Sequence, residues 1–311
     1  KNFQQVSTNP VYNRIALLGG QESNATIAAG CSKMNWVKDA TSGNDDVKVE
    51  GGVIKKAVGC VFPKDDRIST IADEEMSLDS PDGFAVYHDT PYPTGYADSK
   101  LCNVPAQDAD SVGADALTAD LKDNPGVWFK SLTHRSDWCW GHSNKPTKRF
   151  GINRPLAALK GDLEGTRMPS LSFILPSRCV TDDAITCPDG TKGDKAAQLN
   201  KFIGTAVEKT IRASATWKNS LIIYAWDTPP AMAGRRAHKS AWATNPSGLI
   251  MQSPYISRPG RSVNDAVNTL DLLHTIQAQL GLGPAVGLGS LSTVDLVADS
   301  GEFRQDLNPR T

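Results

Sequence analysis

MPSLSFILPSRC at 168–179 and WKNSLIIYAWDTPPAMAGRRAH at 217–238 bracket the stretch from which the fold is read. Each holds a short apolar run, Leu171–Leu175 and Leu221–Trp226, bounded by turn or polar residues. Runs of this kind are the pattern of strands buried on both faces of a parallel sheet. Between them Ala196, Leu199, Phe202, Ile203, Ala206, Val207 and Ile211 recur at three- and four-residue intervals, which marks one face of a helix. Strand, crossover helix and strand together predict a βαβ unit. Ligands of open α/β sheets sit beyond the carboxyl ends of the strands. Those ends carry Ser177 to Asp183 and Asp227, so the unit aims polar and acidic groups at one crevice.

Working outward, Pro155–Leu163 predicts a short helix leading into this unit, and Val127–Leu132 (VWFKSL) a strand. Ala114–Lys122 reads as a helix and Phe84–Tyr87 as a short aromatic stretch, followed by a turn-rich surface loop, HDTPYPTGY, at 88–96. His134, Trp138, Trp140 and His142 cluster around Cys139, which reads as packing at a bridge in preference to a sugar or base platform. Toward the amino terminus, Ile68–Leu78 is an acidic helix, and residues 21–60 predict loops with a short helix or hairpin. NRIALLGG at 13–20 is a helix closed by glycine, preceded by a polar loop over 1–12. Toward the carboxyl terminus, Gly248–Gln252 is a strand and Val263–Leu280 an amphipathic helix. A surface tail rich in Gly and Ser covers 281–311.

Composition narrows the class. The 311 residues suit one large domain or two small ones, and 39% hydrophobic and 22% charged residues describe a globular protein that can bury a real core. A net charge of -1 excludes a general electrostatic grip on nucleic acid or an anionic membrane. No apolar run reaches the length of a membrane span. The six cysteines contain no CxxC pair, which points away from zinc and toward three disulfides in an extracellular protein. The glycosylation acceptor triplet Asn24-Ala25-Thr26 agrees with that compartment.

Five segments carry a resemblance: NPGVWFKSL, MPSLSFILPSRC…TC, WKNSLIIYAWD, SPYISRPG and TLDLLHTIQAQLGL. In order and spacing they resemble the phosphoesterase family that includes acid phosphatases and phospholipases C, within the alkaline-phosphatase-like superfamily. They span most of residues 124–285, and TNPVYNRIALLGG resembles the family's nucleophile loop and following helix. The resemblance implies a three-layer α/β/α sandwich with a mostly parallel sheet, acting on phosphate mono- or diesters with divalent metal. Zn, Mn, Fe or Ca would neutralise the phosphate oxygens that otherwise repel a nucleophile, and would lower a hydroxyl pKa.

Carried over by position, Thr8 stands where the family's nucleophile sits, and Asp227 and His238 where metal ligands sit. Asp182 and Asp183 lie in the loop that supplies further ligands, although Thr181 and Asp183 stand where the family has Asp and His. Arg235 and Arg236 lie before His238, in or beside the place of the family's acids, and suit phosphate or another anion. The resemblance also implies the disulfide pairs Cys179–Cys187, Cys102–Cys139 and Cys31–Cys60. The family's first strand has no room ahead of Thr8.

Plainer roles compete at each position. Thr8 reads also as a turn residue or a cap of the following helix, Asp227 as a turn cap, and His238 as part of a solvated basic loop. The reduced ligand set leaves a secreted phosphoesterase with an altered metal site beside a metal-free, non-catalytic relative serving as an extracellular binding or structural subunit.

Overall fold

A computed structural model describes residues 3–31, 35–77, 83–89, 123–135, 152–165, 168–177, 194–226, 247–256 and 267–282, with 180, 287 and 296. The chain is mixed α/β with parallel strand pairs. It opens with β1 (Phe3–Gln4), α1 (Pro10–Gly19) and α2 (Ala25–Ala28). Next come β2 (Lys38–Asp39), β3 (Lys48–Glu50), β4 (Val53–Lys55), β5 (Ala57–Val58) and α3 (Ile71–Ser77). The central part holds β6 (Phe84–His88), a 3-10 turn (Pro125–Trp128), α4 (Lys130–Thr133), β7 (Asn153–Pro155), α5 (Leu159–Glu164) and β8 (Leu171–Leu175). A crossover helix follows as α6 (Lys195–Lys201), a π segment (Phe202–Glu208) and α7 (Lys209–Arg212). Then come β9 (Ile222–Ala225), β10 (Leu249–Gln252), β11 (Val267–Asn268) and α8 (Thr269–Leu280).

The sheet that organises the candidate site is β7-β6-β8, parallel throughout. Its register sets Phe84 opposite Leu171 and His88 opposite Leu175 on one side, and Val86 opposite Asn153 on the other. All five residues of β6 are buried. Successive side chains of a strand point to opposite faces. Phe84 and Val86 therefore join the core of Ile15, Leu18, Trp128 and Phe129, while Ala85 and Tyr87 join Leu159, Leu163, Val207 and Ile211. Both faces of β6 are covered, as a parallel strand requires.

Two caps fix the helices at the ends of the chain. Asn9 accepts the Val11 amide at 2.9 Å, Pro10 takes the first helical position, and Gly20 closes α1 at φ 58°. The helix thus starts three residues before the apolar repeat that announced it. On α8, Asn268 and Asp271 form a reciprocal capping box. That box explains why the helix expected from Val263 begins at Thr269, after Val267 and Asn268 have paired in parallel with Phe3 and Gln4. Residues 1–12, read as a loop, accordingly contribute a strand. The hairpin expected within 21–60 is β3–β4, turned by Gly51 and Gly52 at φ 57° and 75°.

Two expectations are corrected. VWFKSL is not a strand: Asn124 caps the Gly126 amide at 2.9 Å, Pro125 opens a 3-10 turn, and α4 follows directly. Phe129 alone makes a parallel bridge, to Phe62. The strands of the predicted βαβ unit form where expected, but no ladder joins them among the described residues. β8 pairs with β6, and β9 pairs antiparallel with β10. Ile222 shares the apolar cluster of Tyr87, while the backbone of β9 bonds to Leu249–Gln252. An apolar run specifies burial and leaves the strand's partner open.

Glu75 in α3 is fully buried, and neither carboxyl oxygen has a hydrogen-bond partner among the described residues. Gly83 lets β6 start against this helix, since a Cβ there would lie 2.7 Å from the Glu75 carbonyl. A buried polar group without a partner loses its hydration for nothing in return. Glu75→Met keeps the side-chain length and is expected to raise stability by roughly 1–3 kcal/mol. Urea unfolding checks this, and an unchanged or lower midpoint would contradict it.

Candidate functional site at the carboxyl ends of the parallel strands

β6 ends in His88, followed by Asp89, whose amide extends the ladder to Leu175 at 2.9 Å. Past β8 the chain reaches Ser177, which is buried and bonds the Asp89 carboxylate through both its amide and its hydroxyl. Burial raises the Asp89 pKa, and the two Ser177 bonds partly offset this. On the other side, β7 brings Asn153 beside His88, and Asn124 approaches from the start of the 3-10 turn. His88 Nε2 lies 3.3 Å from Asn153 Oδ1 and 3.5 Å from Asn124 Nδ2. Asn124 donates to the same Asn153 oxygen at 2.5 Å. Two polar groups, His88 with Asn124 and Asn153, and Asp89 with Ser177, thus stand at the carboxyl end of β6, where an α/β sheet holds its ligand.

Two ion pairs border this group. Arg14 of α1 meets Asp123 at 2.8 Å, which ties that helix to the segment bearing Asn124. Across the sheet, Asp162 accepts from Arg154 Nη1 at 2.7 Å and from the Tyr87 hydroxyl at 2.6 Å. Burial first, and then the bond to Asp162, raise the Tyr87 pKa. Tyr87 and Arg154 are opposite each other in the register, so one carboxylate serves two neighbouring strands.

Thr8 is exposed between two ordered neighbours. The Ser7 hydroxyl accepts the Asn9 amide at 3.0 Å, and Asn13 brackets the backbone of Ser7 through both its side-chain atoms. The cap of α1 is Asn9, which corrects the reading of Thr8 as the cap, while Thr8 stands at a bend as its reading as a turn residue has it. Three residues ahead of Thr8, the buried Gln5 accepts from the Thr269 hydroxyl at 2.8 Å and donates to the carbonyl of Trp226. Ser247 donates its amide to Phe3 at 2.9 Å. The strand leading to Thr8 therefore meets the end of β9, the strand that runs into Asp227, and the start of α8.

Asp227, His238, Asp182, Asp183, Arg235 and Arg236 lie outside the described residues, as do Cys102, Cys139, Cys179 and Cys187. Cys31 and Cys60 are joined in a disulfide. The Asn24 side chain caps α2 through the Thr26 and Ile27 amides and donates to Gly59 at 2.8 Å. Among the described residues no group of three His, Cys, Asp or Glu side chains is placed to hold a metal ion.

The residues that sequence reading missed are His88, Asp89, Asn124 and Asn153. HDTPYPTGY has the composition of a surface loop, yet His88 is the last residue of β6 and is buried. A signal was present: a histidine and an aspartate directly after an apolar run stand at the carboxyl end of a strand. No protein-family model matches the chain, and no curated protein matches it.

Proposed function

We propose that this protein is a secreted phosphoesterase of the alkaline-phosphatase-like type, a three-layer α/β/α sandwich acting on phosphate esters with a reduced metal set. The observation that carries the reading is the parallel β7-β6-β8 sheet, covered on both faces, with a polar rim at its carboxyl ends. Support comes also from the bond between Gln5 and Trp226, which sets the approaches to Thr8 and Asp227 side by side. In this reading Thr8 supplies the hydroxyl that attacks phosphorus. Asp227 and His238, with Asp182 and Asp183, hold a divalent cation, and Arg235 and Arg236 hold phosphate oxygens. The cation supplies charge neutralisation at the phosphate.

The test is elemental analysis of the purified protein, with hydrolysis of p-nitrophenyl phosphate in added Zn, Mn, Fe or Ca. Bound metal and turnover that is lost in Thr8→Ala and in Asp227→Asn support the proposal. A protein that takes up none of these metals and releases no nitrophenol rules it out.

One observation favours a second reading, a non-catalytic extracellular binding subunit. The described rim is made of two carboxamides, a neutral imidazole, a hydroxyl and one carboxylate that is already bonded to Ser177. Binding of inorganic phosphate without metal, weakened in Arg235→Ala, distinguishes this reading from the first.

A further inference from the structure

His88 is only 4% exposed, and its Nδ1 has no hydrogen-bond partner among the described residues. Its other nitrogen faces the two buried carboxamides of Asn153 and Asn124, and Asn124 in turn caps Gly126. One uncharged network therefore ties β6, β7 and the Pro125–Trp128 turn together. The charged groups on the surrounding elements are otherwise engaged. Asp89 bonds Ser177, Asp123 pairs with Arg14, and Arg154 pairs with Asp162. Among the described residues no carboxylate bonds the ring.

We propose that this cluster is an acid-sensitive latch, in which protonation of His88 releases the Asn124–Trp128 turn from the carboxyl end of the sheet. The neutral ring donates from Nε2 to Asn153 Oδ1 and leaves Nδ1 as an acceptor. A proton added at Nδ1 creates a second N–H with no acceptor, and a cation where no carboxylate answers it. Burial accordingly holds the imidazole pKa down to about 4 from its ordinary 6.5, with the Asn153 bond a smaller opposing influence. Once the turn opens and water reaches the ring, the ordinary value returns. Between these two values the open state binds more protons, so acid favours opening. The latch is fully closed above 6.5, weakens as pH falls toward 4, and gains nothing further from acid below that.

The inference stands without the phosphate-ester reading, and so does its test. Amide hydrogen exchange reads the turn directly, because Val127 bonds to Asn124 and Phe129 to Gly126 at 3.3 and 3.2 Å. After correction for the intrinsic rate, protection of these amides is expected to fall about sevenfold per pH unit between 6 and 4.5. In His88→Gln it should be flat over that range. Constant protection in the parent, or an equal loss in His88→Gln, overturns the latch. Proton NMR of the parent protein decides independently if the variant fails to fold. The chain has five histidines, and one C2 proton should titrate below pH 5. Five ordinary titrations near 6.5 would also overturn it.

Discussion

Asp162→Ala is expected to destabilise the protein by roughly 3–5 kcal/mol, because it strips a buried guanidinium of its carboxylate. Arg154 is 0% exposed, and Asp162 accepts both its Nη1–H and the Tyr87 hydroxyl. The loss greatly exceeds what the pair itself contributes. Two charges taken out of water nearly cancel the attraction between them, but removing one partner leaves the desolvation of the other in place. Tyr87→Phe provides the control, since it removes one bond and leaves Arg154 paired. Its expected cost is about 1 kcal/mol. Urea titrations of the two variants give the comparison. Equal effects would mean that the lost Tyr87–Asp162 hydrogen bond accounts for both and that the ion pair adds nothing.

Cys31→Ala with Cys60→Ala comes next, at roughly 3–4 kcal/mol by the entropy of closing a loop of this length. The disulfide spans 29 residues and joins the end of α2 to the segment after β5. Both cysteines are fully buried, so substitution is a cleaner probe than added reductant. The local structure retains other ties. Asn24 reaches the Gly59 carbonyl at 2.8 Å, and the Gly59 amide reaches the Thr26 hydroxyl at 2.9 Å. The double variant should therefore keep its fold while its unfolding midpoint drops. A midpoint equal to the parent's would show that the unfolded chain is already constrained over 31–60 by other means.

Much of the local structure was legible. The run LSFIL became β8 at the boundaries its composition implies, because four apolar residues in five, closed by Pro176, leave little choice. The crossover helix likewise follows its three- and four-residue repeat, and its last turns bury Val207 and Ile211 as that repeat requires. VWFKSL failed on chemistry that was also local: Asn-Pro-Gly before it is a turn start, and an apolar run beside such a start can coil. His88 failed for another reason. Its polar partners, Asn124 and Asn153, are 36 and 65 positions away, and no pattern in HDTPYPTGY reports them.

By itself, the sequence determined where the chain is extended or coiled and which side chains seek the interior, since caps, periodicity and turn residues act over a few neighbours. Only the tertiary structure decided that β8 lies against β6 and that β9 turns to β10. It also decided that a histidine in a polar stretch would lose its water among amides. Strand pairing and desolvation depend on groups brought together from distant parts of the chain, and a local pattern records the need for a partner without recording which one.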